Sequence, residues 1–335
     1  TTEIYTLSLH DALPILARAT TDGAVWIGHA RLAAGIKLPL ASVFPEVAAL
    51  PELAGSGQEV HYEEAGAVGY LSFDFYNGAM GAEACERLLT AFEAAKARPT
   101  KVIVLLGGED FFSNGLDLNR IEAADSPADE SWRNINAMDD LCRAIITTDS
   151  HLTVSALRGN AGAGGAFLAL AADVVWARRG VILNPHYKNM GNLHGSEYWS
   201  YLLPRRVGAD RAATLMRNRL PLGAAEAARI GFLDDCFGED ALDFMARVRA
   251  RAESLAELGF VDALAAKRAR RAADEAARPL EAYRAEELRH MQRNFYGFDP
   301  SYHIARHHFV RKTPQSWTPR HLALHRELGW VAPTD

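Results

Sequence analysis

Cysteine is scarce in this 335-residue chain. Cys85, Cys142 and Cys236 are an odd number and form no CxxC pair, which argues against a disulfide framework or a cysteine-ligated zinc site and fits a reducing, cytoplasmic setting. Long apolar runs are missing too. The longest, Ala161 to Ala177, is interrupted by Gly162, Gly164, Gly165 and Asp173 and is too broken to span a bilayer. There is no excess of basic charge: the net charge of -6 gives no general attraction to nucleic acid or anionic membrane. No internal repeat is evident. What is present, 49% hydrophobic and 23% charged residues, is ordinary globular material, long enough for a full core.

Residues 1–15 have neither a basic n-region nor an A-x-A cleavage site, so they make a poor signal peptide. They resemble translated sequencing-adaptor sequence and are set aside; on that reading the chain is expected to be a fragment truncated upstream of about Leu16. Residues 16–58 read as a remnant of an upstream domain plus a linker. Ala24–Gly28 and Gly35–Leu40 are short strand-like runs, followed by Pro45, Pro51, Gly55 and Gly57. Two isolated strands cannot make a domain.

From His61 the pattern becomes regular. Strands are predicted over 67–75, 101–106, 152–157, 174–177 and 181–183. Helices are predicted over 81–97 and 129–148, the second with Trp132, Ile135, Met138, Leu141 and Ile145 on one stripe. A further helix should run from the second of two glycine stretches to about residue 172. Beyond Ser196 the chain reads as mostly helical. Strands alternating with helices imply an α/β fold with parallel strands. A core over 59–257 and a helical extension over 258–335 are expected.

The two glycine stretches are Phe112 to Leu118 and Gly159 to Ala166. Each follows an apolar strand-like run and opens a helix. Alone, either stretch is explained by turns and close packing. Together they can aim two backbone N–H groups, those of Leu116 and Gly164, at a carbonyl oxygen that gains negative charge.

The first stretch resembles the A-F-x-A-G-x-D-[LI] segment of the crotonase (enoyl-CoA hydratase/isomerase) superfamily, and Arg158 to Gly165 resembles its N-G-x-A-x-G-G-G segment. The resemblance runs from about Val60 to Phe237 and includes Pro185 and Val207-Gly208. It implies a spiral of ββα units, an oxyanion hole at Leu116 and Gly164, and a coenzyme A thioester as substrate. The departures are informative. Phe167 and His186 stand where the hydratases carry their two glutamates. Water addition needs an acid and a base around the bound water, so ordinary enoyl-CoA hydration is not expected.

Asn184 through Trp199 resembles the C-terminal half of HypX-type hydrogenase maturation proteins, as do the tail from Tyr302 to His321 and the upstream Asp22–His29 with Lys37-Leu38-Pro39. In that family an upstream half moves the formyl group of formyl-tetrahydrofolate onto coenzyme A. The crotonase-like half then releases carbon monoxide from formyl-CoA, for the iron of [NiFe] hydrogenase. The resemblance places catalysis on Tyr187 and Glu197. His186 and His194 flank the same loop and could tune Glu197 or be only polar loop residues, and Ser196 is a further supporting candidate. Glu197 would act as base, and Tyr187 would donate to or orient the departing thiolate. Formyl-tetrahydrofolate would enter only through the upstream half, and hydrogenase maturation proteins are candidate partners. Another isomerase or hydrolase reaction on a thioester, and a non-catalytic assembly scaffold, remain as rivals.

Plainer readings stand beside these. Ser196-Glu197 has the form of a helix cap followed by a first-turn acid. Tyr187 has the form of a core tyrosine. The basic run from Lys267 to Arg271 could meet a coenzyme phosphate or be a solvated helix face, offset by Glu275, Glu281, Glu286 and Glu287. His303, His307 and His308 have helical spacing, but no H-E-x-x-H context supports a metal. Arg158 is unusual at its position and is expected under the loop.

Overall fold

The structure, a computed structural model, describes residues 59–313 and three short strands upstream of them. The chain divides into two units at Glu59/Val60. In the first, β1 (Leu16–Ala19), β2 (Ala24–Gly28) and β3 (Ile36–Pro39) form an antiparallel sheet, with Leu16 opposite Gly28 and Ala24 opposite Pro39. The first of these strands goes beyond the two expected. Residues 1–15, and the end of the tail from 314 onward, lie outside the described residues.

The second unit opens with the hairpin β4 (Val60–Ala65) and β5 (Val68–Phe73), then β6 (Ala79–Met80) and α1 (Ala82–Lys96). Next come β7 (Val102–Leu106), β8 (Phe111–Ser113), β9 (Gly115–Leu116), α2 (Leu118–Ala123) and α3 (Pro127–Ile146). The following turn is β10 (Leu152–Leu157), β11 (Asn160–Gly162) and α4 (Gly164–Leu170), and then come β12 (Val174–Arg178) and β13 (Ile182–Asn184). Last are α5 (Trp199–Val207), α6 (Ala209–Asn218), β14 (Leu222–Gly223), α7 (Ala224–Arg229), β15 (Asp235–Phe237), α8 (Ala241–Glu257), α9 (Phe260–Ala277), α10 (Leu280–Tyr296) and α11 (Ser301–Arg311).

A six-stranded sheet has the order β15-β12-β10-β7-β5-β4, parallel except for the edge hairpin. A second sheet has the order β14-β13-β11-β8. The chain therefore visits the large sheet and then the small one three times in succession, as β7–β8, β10–β11 and β12–β13. That repetition is the spiral. Both faces of the large sheet are covered, which is why its central strands read as unbroken apolar runs. Val102, Val104 and Leu106 face one core with Val154, Ala156 and α8 residues Phe244, Val248 and Ala252. Ile103 and Leu105 face the other, with Leu88, Phe92, Ile135, Met138 and Leu141.

The long helix begins two residues earlier than expected. Ser126 caps it, accepting from Asp129 N–H at 3.4 Å, and Pro127 takes the first turn, a helix start marked by its N-cap serine and N1 proline. The small sheet was not anticipated as a sheet. Its strands are two or three residues long, too short to show alternation.

The basic run is structural. Lys267 is 4% exposed and its ammonium reaches Asp173 at 2.6 Å and the His151 carbonyl at 2.8 Å. Arg268 meets the Asp149 carbonyl, and Arg271 pairs with Glu275. Lys267 thus ties α9 to the chain entering β10 and β12, while Arg268, Ala269 and Arg270 are exposed. Replacing one partner of such a buried pair leaves the other uncompensated. Lys267→Ala is expected to lower stability by about 3 kcal/mol, measured by urea unfolding; a loss below about 0.5 kcal/mol would contradict this role.

Candidate active site

The turn after β8 brings the first glycine stretch against the second. A methyl built on Gly115 would sit 3.0 Å from the Gly164 amide nitrogen. Gly164 is the first residue of α4, so its N–H has no acceptor within the helix. The residue before it, Ala163, is held at φ 47, ψ -126, a conformation that costs an L-residue on the order of 1–3 kcal/mol.

Tyr187 and Glu197 come from the segment that leaves β13. Tyr187 is 6% exposed, and its ring stacks on Phe167, centroids 5.4 Å apart. Its hydroxyl donates to Glu197 Oε2 at 2.5 Å, with the Ser196 carbonyl at 3.0 Å. The two residues meet because Gly195, at φ 86, lets the backbone pass over the tyrosine ring. A methyl there would fall 1.9 Å from the ring. Glu197 and Tyr198 then take consecutive left-handed conformations, φ 59 and 57.

Glu197 is fully buried. Its Oε2 also accepts from the Ser196 N–H at 3.1 Å, whereas Oε1 has no hydrogen-bond partner among the described residues. That free oxygen lies against Gly164: a methyl on Gly164 would be 2.1 Å from it. Glycine is required here by the carboxyl group.

Two further buried acids hold the turn. Asp139, on α3, accepts from the Glu197 N–H at 2.8 Å through one oxygen and from the Ser196 hydroxyl at 2.8 Å through the other. Glu287, on α10, accepts from Tyr198 N–H at 2.9 Å and from Ser200 N–H at 2.8 Å. Arg284 approaches Asp139 at 3.7 Å and pairs with Asp140 at 2.6 Å. Burial, and then the charge of Asp139, push the Glu197 carboxyl up to about 8. Burial likewise raises Asp139 to about 7 and Glu287 to about 8.

Leu116 follows Gly115 at this junction, in β9, where it pairs with Met80 of β6. Ser196 bonds to Asp139 and Glu287 and does not cap a helix, because α5 starts only at Trp199. Glu197 is accordingly not a first-turn acid. Neither His186 nor His194 hydrogen-bonds Glu197. His186 is buried with both ring nitrogens unpartnered, and His194 stacks on His290 at 4.2 Å. Burial holds both imidazoles down to about 4, hence neutral. Arg158 donates to the Gly107 carbonyl at 2.6 and 3.1 Å, in the turn that follows β7. His303 bonds the Phe295 carbonyl and His307 pairs with Glu122; no metal-ligand cluster occurs among the described residues.

Sequence reasoning missed Asp139, and it took Glu287 for a surface charge when it is fully buried. Each had a signal: an acid on an apolar stripe. Asp139 lies between Ile135 and Cys142, and Glu287 precedes Met291 and Phe295 at helical spacing.

Fold and site together define a class: residues 64–320 match the enoyl-CoA hydratase/isomerase family model, and the chain belongs to that family. Within it, the chain is similar to the hydrogenase maturation factor HoxX of Bradyrhizobium diazoefficiens, 58% identical over 93% of this chain and 56% of HoxX. It also superposes on the crystal structure of HypX from Aquifex aeolicus in complex with tetrahydrofolic acid, with a TM-score of 0.78 and 45% identity, over 96% of this chain and 61% of that one. The chain thus spans a little over half the length of these relatives. An enoyl-CoA hydratase from Bacillus halodurans, 22% identical with a TM-score of 0.66 over 75% of this chain and 99% of its own, shares the fold. No helix among the described residues is long and apolar enough to cross a membrane.

Gly164→Ala should displace the Glu197 carboxyl and destabilise the protein by about 1–3 kcal/mol, read as a lower thermal midpoint; an unchanged midpoint would refute the packing. The raised carboxyls predict a pH dependence. They bind protons in the folded state that unfolded carboxyls, near 4, have already lost. Their contribution is therefore present at low pH and lost as pH rises through about 7 to 8. The neutral histidines act in the opposite sense, but only below about pH 6.5. Stability should fall between about pH 6.5 and 8.5, and less steeply in Glu197→Gln; equal slopes would contradict the assignment.

Proposed function

We propose that this chain releases carbon monoxide from formyl-CoA, with Glu197 handling the proton. The observation that carries the reading is the division of labour within one buried carboxyl. Oε2 is occupied by Tyr187 and the Ser196 N–H, while Oε1 is unpartnered and faces Gly164. A buried acceptor left open beside a helix-opening amide fits a reacting acyl group.

In this reading the formyl oxygen rests on the Leu116 and Gly164 amides. Ionised Glu197 removes the formyl proton. The C–H electron pair stays on carbon, the C–S pair leaves with sulfur, and carbon monoxide departs. The thiolate then recovers the proton from Glu197, so formyl-CoA yields carbon monoxide and coenzyme A with no further reactant. Proton exchange is easiest between groups of matched pKa. Glu197, at about 8, is close to a free thiol at about 8.5. Tyr187, whose hydroxyl already donates its hydrogen bond to Glu197 Oε2, orients the carboxyl and does not protonate the sulfur.

Hydration is disfavoured by what replaces the hydratase acids. Phe167 is fully buried under the Tyr187 ring, and His186 is a neutral imidazole. The likeness to HoxX and HypX supports a place in hydrogenase maturation, and HypX binds tetrahydrofolic acid. Supply of the formyl group by an upstream half, cytoplasmic action and contact with other maturation proteins are part of the same proposal.

Purified chain supplied with formyl-CoA should release carbon monoxide, detected by its haem adduct. Glu197→Gln should slow release by about 10²-fold or more. Tyr187→Phe, which loosens the carboxyl, should cost up to about a hundredfold. Wild-type rates in both variants would rule the assignment out, and crotonyl-CoA hydration or acetyl-CoA thiol release without carbon monoxide would favour a different thioester reaction.

A further inference from the structure

A second group of unsatisfied polar atoms involves His186, the residue before Tyr187 in the chain. Strands β13 and β14 pair antiparallel with Ile182 opposite Gly223 and Leu183 opposite Leu222. The same register, continued past the strand ends, sets His186 opposite Arg219. Arg219 is held at φ 58 and is 8% exposed. Its Nη2 has no hydrogen-bond partner, and neither has either ring nitrogen of His186, itself 4% exposed. Lys188, partly buried, lies two residues further along the same segment. Among the described residues no carboxylate pairs with Arg219 or Lys188, whereas the buried Lys267 and Arg306 each have one.

This arrangement is costly unless something neutralises it. An uncompensated buried charge destabilises by several kcal/mol. Lysine and histidine escape by losing a proton, and burial together with the Arg219 charge depresses both Lys188 and His186. Arginine has no such escape, because guanidinium does not deprotonate in proteins. Its fork of donors, with the His186 imidazole and the Lys188 amino group carried on the facing segment, offers donors to a compact acceptor-only group.

We propose that Arg219, His186 and Lys188 form a buried receptor for one small oxyanion, a carboxylate or phosphate group, separate from the Tyr187–Glu197 pair. The receptor does not depend on carbon monoxide release. The two sources of that chemistry, a one-carbon carboxylate and free phosphate, are distinguished by titrating the full chain calorimetrically with sodium formate and, separately, with inorganic phosphate. One saturable site is expected for at least one of them. Arg219→Gln should weaken that affinity at least tenfold, while Arg229→Gln, which alters an exposed pair with Glu226, should leave it unchanged. Saturation by formate alone identifies a carboxylate site, and by phosphate alone a phosphate site. Should Arg219→Gln fail to fold, Lys188→Met replaces it, and the wild-type thermal midpoint should rise with the bound anion. Absence of binding by either anion to the wild-type chain, or an affinity unmoved by both variants, overturns the proposal.

Discussion

The site depends on a carboxyl group satisfied on one side only. Glu197 has its backbone N–H tied to Asp139 and one oxygen tied to Tyr187 and Ser196, and its other oxygen lies close to Gly164 with nothing bonded to it. Burial alone would make the group an inert neutral acid. The partial hydrogen bonding keeps it near the point where it can both accept and return a proton.

Holding that arrangement requires backbone that chain propensity opposes. Two successive non-glycine residues in the left-handed region and a strained Ala163 cost on the order of 1–3 kcal/mol each. The compensation comes from two acids on separate helices, Asp139 on α3 and Glu287 on α10, which collect five backbone and hydroxyl donors of the 196–200 turn, with a longer contact from the Ser196 hydroxyl to Glu287. The helical extension is thus part of the site's support, since α10 supplies one of the two clamps. An enoyl-CoA hydratase from Bacillus halodurans shares the spiral fold. Phe167 packs buried against the Tyr187 ring and His186 is a buried, neutral imidazole.

Much of this was legible in the sequence. Strands β7 and β10 stand out because both faces are buried and the apolar run is unbroken. The glycine stretches were legible because close approach at Gly115 and Gly164 leaves no room for a side chain. Tyr187 and Glu197 were reached through family resemblance; spacing alone offered a helix cap, which the start of α5 at Trp199 removes. Asp139 and Glu287 looked like ordinary helix charges, since only the packing of α3 and α10 shows that their stripe faces inward. Arg219 carried no signal. Its burial follows from a register set by a two-residue strand, β14.

The most direct test is the pH profile of kcat/KM for carbon monoxide release from formyl-CoA. A base at about 8, raised by burial and by Asp139, predicts a rate that climbs with pH and levels off above about that value. Asp139→Asn, which removes the neighbouring charge, should move the rising limb to lower pH. A flat profile, or a limb that stays in place in Asp139→Asn, would contradict the account.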